Sequence, residues 1–193
     1  MPFSVTIGNN TTTYQKKMSL LEILNGSNED KSIIAARGNN RVRELTYEVN
    51  YDCEIQWLTV KDGDATKTYE ASLRFITAMA FRRAYPDLKI RFAYNVSRCV
   101  SIHLLTPGYT ANTAMLLKVS HEMERIIEAD YPLKRMVVPI EKAREVYGQL
   151  GDEDKLALLP YRPEKTAHLY ECDGFYDYMY SHMVPSTLSL IHI

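Results

Sequence analysis

Phe3-Ser-Val-Thr-Ile7, Gly8-Asn9-Asn10, Thr11-Thr-Thr-Tyr14 and Ser19-Leu-Leu-Glu-Ile-Leu-Asn-Gly26 decide the fold of the first half of this chain. Phe3 to Ile7 alternates in strand fashion, Gly8-Asn9-Asn10 is a turn signal, and Thr11 to Tyr14 is the β-branched return strand of a hairpin. Ser19 with Glu22 three residues on is a capping box, and it predicts a short helix over Leu20, Leu21, Ile23 and Leu24 that stops at Asn25-Gly26. Working outward, strands are predicted at Ser32 to Ala36, at Arg43 to Thr46 after the Gly38-Asn39-Asn40 turn, and at Glu54 to Val60. The order ββαβββ within about 60 residues is that of a β-grasp.

Lys61-Asp62-Gly63-Asp64 is a polar break, and it divides the chain into an expected first domain, residues 1–61, and a second, residues 62–193. In the second, Leu73, Ile76, Ala80 and Phe81 recur at helical spacing between Tyr69 and Ala84, and Pro86 ends that helix. Strands follow at Lys89 to Tyr94 and Cys99 to Leu105, then a helix over Asn112 to Ala129 with Met115, Val119, Met123 and Ile126 on one side. Pro139 fits the first turn of a further helix through Tyr147, because a missing N–H costs nothing there. From Thr166 onward the pattern reads as strands, so this half is α+β. Ser189-Leu-Ile-His-Ile193 is a strand-like run that stops mid-pattern, the expected mark of a truncated chain.

Composition narrows the function classes. Lys+Arg 23 against Asp+Glu 24 gives a net charge of -1, without the global basic field that drives nucleic-acid binding, so strong binding of that kind is not expected. Arg82, Arg83, Lys89, Arg91 and Arg98 form a local cluster, read either as a solvated face or as a phosphate or RNA contact. Cys53, Cys99 and Cys172 are dispersed and odd in number, which suits a reducing, cytoplasmic setting. No apolar run approaches the roughly 20 residues that span a bilayer, so no membrane partner is expected. His103 reads as a strand histidine bonded to backbone, and His121 as a solvated helix residue. Cys172 reads as a core thiol, Asp177 as a turn carboxylate, and Asp152-Glu153-Asp154 as a surface turn.

Met18-Ser-Leu-Leu-Glu-Ile-Leu24, Ile34-Ala-Ala-Arg-Gly-Asn-Asn-Arg41 and Ile55-Gln-Trp-Leu-Thr59 resemble the ubiquitin-like TGS domain at the front of threonyl-tRNA synthetases. The second half is similar to the second additional, editing, domain of those enzymes. The likeness runs through Ala84-Tyr-Pro-Asp87, Val138-Pro-Ile-Glu-Lys-Ala-Arg-Glu-Val-Tyr147, Leu150-Gly-Asp-Glu-Asp-Lys-Leu156 and Tyr170-Glu-Cys-Asp-Gly-Phe-Tyr-Asp-Tyr178, and on into Val184-Pro-Ser-Thr187. The resemblance implies a metal-binding set, H-x-x-x-H on the first helix and C-x-x-x-H near the end. Here those positions hold Ala71, Phe75, Met179 and Met183. Alanine and phenylalanine cannot ligate zinc, and thioethers suit softer metals, so neither a metal nor a catalytic residue is expected. His182, beside the lost position, is expected to be exposed or bonded to backbone.

A TGS module followed by an additional domain stripped of its ligands is also similar to the front of bacterial nucleoside kinases related to uridine kinase. That resemblance implies a full-length transferase that phosphorylates uridine or a related nucleoside with ATP and Mg²⁺. The chain would be its non-catalytic regulatory region, in contact with its own C-terminal kinase domain, a small-molecule effector or a second copy of itself. None of the eight glycines is followed by lysine, so a Walker A loop would have to lie beyond Ile193. The alternative implied by the same likeness is a tRNA-related binding module derived from threonyl-tRNA synthetase, without editing activity.

Overall fold

The computed structural model describes residues 2–27, 32–96, 99–179 and 181–191. Its first part comprises β1 (Phe3–Ile7), β2 (Asn10–Tyr14), β3 (Met18–Ser19), α1 (Leu20–Asn25), β4 (Ile33–Gly38), β5 (Arg41–Glu44), β6 (Glu48–Val49) and β7 (Cys53–Thr59). Five of these strands form one sheet in the order β2-β1-β7-β4-β5. β1 pairs antiparallel with β2, Phe3 opposite Tyr14, and parallel with β7, Val5 opposite Cys53. That parallel pair needs a crossover, which α1 and its flanking strands supply.

The predicted capping box is present. Ser19 Oγ accepts from the Glu22 N–H at 3.1 Å, and the Glu22 carboxylate accepts from the Ser19 N–H at 2.7 Å. So capped, α1 lays Leu20, Ile23 and Leu24 on Phe3, Val5, Ile33, Ala36 and Ile55. The β4–β5 turn is Asn39-Asn40 with both residues at positive φ, the two-residue loop whose twist matches a hairpin. β4 is buried on both faces, because the sheet is covered from its other side as well.

That cover is α2 (Gly63–Ala84), about 33 Å long at 1.5 Å per residue. It begins inside the polar break, six residues before the expected Tyr69. Asp62 sets the entry by accepting from the Thr59 N–H at 2.8 Å. Ile34, Ala35 and Leu58 from the sheet share one apolar cluster with Phe75, Ile76 and Met79 of α2. The β-grasp therefore packs α1 on one face and the second half on the other.

Around α2 lie the hairpin β8 (Ile90–Val96) and β9 (Cys99–Leu104), and α3 (Thr113–Glu128), capped by Asn112. β10 (Lys134–Pro139), α4 (Ile140–Leu150), α5 (Glu153–Leu158), β11 (Thr166–Cys172) and β12 (Phe175–Tyr178) complete the second half, with β10-β11-β12 an antiparallel sheet. The molecule is thus α+β, a β-grasp followed by an α+β half. Val184 to Thr187 is stitched into the core: Val184 N–H donates to Ser72 Oγ at 2.9 Å, and Thr187 Oγ1 donates to the Ile126 carbonyl at 2.8 Å.

Two expectations are corrected, and one element was not foreseen. Asp152-Glu153-Asp154 is no simple surface turn but the entry to α5, where Asp152 is drawn into ion pairs. The run after Ser189 is not a strand as far as it is described. Thr187–Leu190 forms a 3-10 turn that inserts Leu190 into the core, and residues 192–193 lie outside the described residues. β10 was not predicted, because only one of its faces is shielded and Val137 is 60% exposed.

Candidate functional site

Ala71, Phe75, Ala78 and Arg82 lie three or four residues apart and so form one stripe of α2. The first two are the positions that the synthetase likeness marks as ligands. Phe75 is 1% exposed, and its ring meets Phe175 of β12 edge to face with centroids 5.1 Å apart. Ala71 and Met183 are buried in the same cluster, and Met179 packs against it. The fold thus brings all four positions, from the two ends of the second half, into one apolar cluster. Among the described residues no group of three or more His, Cys, Asp or Glu side chains is placed to hold a metal ion.

At the other end of the stripe the lining becomes polar. Lys155 of α5 stands between Asp152 at 3.0 Å and Asp177 of β12 at 2.5 Å. Burial disfavours the ammonium charge, but the two carboxylates outweigh it and raise the Lys155 pKa. Lys155 is therefore a fixed cationic donor rather than a base or nucleophile. Gly151, at φ +69, turns the chain between α4 and α5. The carbonyls of Leu150 and Gly151 accept from Arg82 at 3.1 Å and from Lys89 at 3.3 Å. Arg82, Lys89, Gly151, Asp152, Lys155 and Asp177 line a cleft beside α2 together with Phe81, Leu88 and Phe175.

The remaining sequence candidates are dispersed. Cys172 is buried, and burial pushes its thiol up to about 11, so it stays protonated and unreactive near neutrality. His103 is an exposed residue of β9 lying edge to face with Tyr94, not a backbone-satisfied one. His121 is exposed, 3.7 Å from Glu124. Much of the basic cluster is spent internally: Arg82 pairs with Asp152, and Arg83 with Asp173 at 2.6 Å and Glu122 at 3.4 Å. Arg98 lies outside the described residues.

His182 departs from its expectation. Its Nδ1 is buried 3.7 Å from the Glu44 carboxylate, within ion-pair reach but beyond hydrogen-bond distance. Glu44 also accepts from the Tyr170 hydroxyl at 2.5 Å. Sequence reading missed this group, and missed the Lys155–Asp177 pair, because the partners lie far apart along the chain. The stretches Leu150 to Leu156 and Tyr170 to Tyr178 contain Lys155, Tyr170 and Asp177, but neither marks the pairings.

The chain is thus a β-grasp sheet in the order β2-β1-β7-β4-β5 followed by an α+β half. No protein-family model matches the chain. Its relatives are threonine–tRNA ligases. That of Symbiobacterium thermophilum is 28% identical over 158 residues, 81% of this chain and 24% of the relative. Those of Syntrophomonas wolfei and Acetivibrio thermocellus are 26% and 25% identical over 177 residues, 90% and 85% of this chain. The chain spans about a quarter of the length of the curated relatives it matches.

The nucleoside-kinase reading is corrected by these relatives, which are named as tRNA ligases and not as kinases. The uridine-kinase assignment falls with it. The physical reason is plain. Ala71, Phe75, Met179 and Met183 form an apolar cluster, and such a cluster carries no information about phosphoryl transfer. No helix among the described residues is long and apolar enough to cross a membrane.

Proposed function

We propose that this chain is a tRNA-related binding module of threonyl-tRNA synthetase descent in which the hydrolytic editing site has become packed core. The observation that carries this reading is the cluster of Ala71, Phe75, Met179 and Met183. Zinc needs about four N, S or O donors at roughly 2.0–2.3 Å, and two thioethers, a methyl group and a phenyl ring cannot supply them. The acyl bond of a mischarged tRNA would find no activated water there. The module would bind tRNA weakly, because Arg82 and Arg83 are already paired and the net charge is -1.

The purified chain should release serine from mischarged threonine tRNA no faster than buffer and should carry no stoichiometric zinc. Fluorescence anisotropy should report tRNA binding that weakens steeply as salt rises. Hydrolysis above the uncatalysed rate, or one bound zinc lost on His182→Ala, would overturn the loss of editing. Absence of tRNA binding at low salt would overturn the binding module.

A further inference from the structure

Helix α2 has a second lined face. Tyr69, Leu73 and Thr77 recur there every four residues, and across from them stand Val100 and Ile102, two apart on β9, with Phe92, which is paired to Ile102 across the hairpin. All six are half-buried, and the cleft between them has a volume of about 650 Å³. Sites for small organic molecules run from about 300 to 1,000 Å³, mostly apolar with a few placed polar groups.

The placed groups are Glu70 and Arg74, which line the same cleft. They lie four apart on α2, the spacing at which a carboxylate and a guanidinium ordinarily pair. They do not pair. Arg74 Nη2 donates instead to Asn95 Oδ1 at 2.9 Å, and Arg74 Nε is buried with no acceptor. Among the described residues the Glu70 carboxylate has no hydrogen-bond or ion-pair partner. A buried donor without an acceptor is costly unless something outside the chain supplies one. Glu70 and Arg74 also border the shallower cleft at Ala71 and Met179, so the pair stands on the ridge between the two.

The geometry points to a site for a free α-amino acid with a large apolar side chain. Arg74 takes the carboxylate, Glu70 takes the ammonium, and the side chain lies between Leu73 and the Phe92–Ile102 wall. Both charges of such a ligand sit on one carbon, within reach of two residues one helical turn apart. An uncharged apolar ligand leaves the pair unused, and a nucleotide would bring phosphate against Glu70. This cleft adjoins the one at Ala71 and Met179 across the Glu70–Arg74 ridge, and it stands or falls independently of tRNA binding.

Isothermal titration of the chain with L-phenylalanine and L-leucine tests it, with 3-phenylpropionate, phenethylamine and L-serine as the probes lacking the ammonium, the carboxylate and the apolar group. The two apolar amino acids should bind saturably, and each control about tenfold or more weaker, as expected for losing one charged hydrogen bond or the apolar contact. Leu73→Trp fills the cleft and should abolish binding. Arg74→Gln, a rim change that keeps the helix, should remove the preference for L-phenylalanine over phenethylamine. Absence of L-phenylalanine binding would overturn the assignment, as would equal binding of the three controls or an unchanged preference in Arg74→Gln. Binding retained in a folded Leu73→Trp variant would place the ligand in the other cleft and equally overturn it.

Discussion

Tyr170 and Glu44 are 126 residues apart in sequence, yet the Tyr170 hydroxyl donates to the Glu44 carboxylate across the junction of the two halves. Glu44 is 7% exposed. Burial alone would raise its pKa, but His182 and Tyr170, with Arg135 nearby, overcome it and hold the carboxyl below its usual value of 4.5. A depressed folded pKa gives stability that is fully present above the unfolded value and is lost as pH falls through the folded one. Tyr170→Phe should therefore cost about 1.5–3 kcal/mol at neutral pH, the range for a hydrogen bond to a charged group, and less once Glu44 is protonated. Urea unfolding of both proteins at neutral pH and well below 4.5 checks this, and an equal cost at both would sink it. The group was illegible in the sequence, because a lone glutamate and a lone tyrosine carry no mark of each other. Ala71 and Phe75 were legible only through the synthetase likeness that defined their positions.

Elements were readable where local chemistry alone fixes them. The capping box at Ser19 and Glu22 and the Asn39-Asn40 turn each act within four residues, and each was found where its sequence signal lay. Ser19→Ala should cost about 1 kcal/mol through the lost cap, measurable as a lower urea midpoint with unchanged slope. Elements fixed by distant partners were not readable. β10 exists because β11 pairs along it from Lys134 to Pro139, and the entry to α5 is held because Lys155 reaches Asp177 on β12. Lys155→Met leaves two carboxylates without their cation. About a third of the lysine side chain reaches solvent, so the expected loss is about 1–2 kcal/mol rather than that of a fully buried pair. A variant as stable as the parent would show that water already satisfies Asp152 and Asp177.

At the scale of the whole molecule the decisive feature is the apolar cluster that runs from Ile34 and Leu58 of the sheet into Phe75 and Met79 of α2. The composition break at Lys61 to Asp64 marks a change of pattern along the chain, but a core closed from both sides couples what lies on either side of it. Phe75→Ala opens a cavity in that core and should cost about 3–5 kcal/mol. Trp57, the single tryptophan, lies on β7 in the first half and packs against the α1 side of the sheet. Its fluorescence therefore reports the β-grasp, while far-ultraviolet circular dichroism is dominated by α2 and α3. With a shared core, Phe75→Ala should lower the Trp57 midpoint by as much as the dichroism midpoint, and the two probes should coincide in both proteins, as a cooperative transition requires. A Trp57 transition unmoved by the substitution would mean that the β-grasp unfolds as an independent body. The Glu44–Tyr170 bond would then be lost with the second half, while the sheet around Trp57 remained.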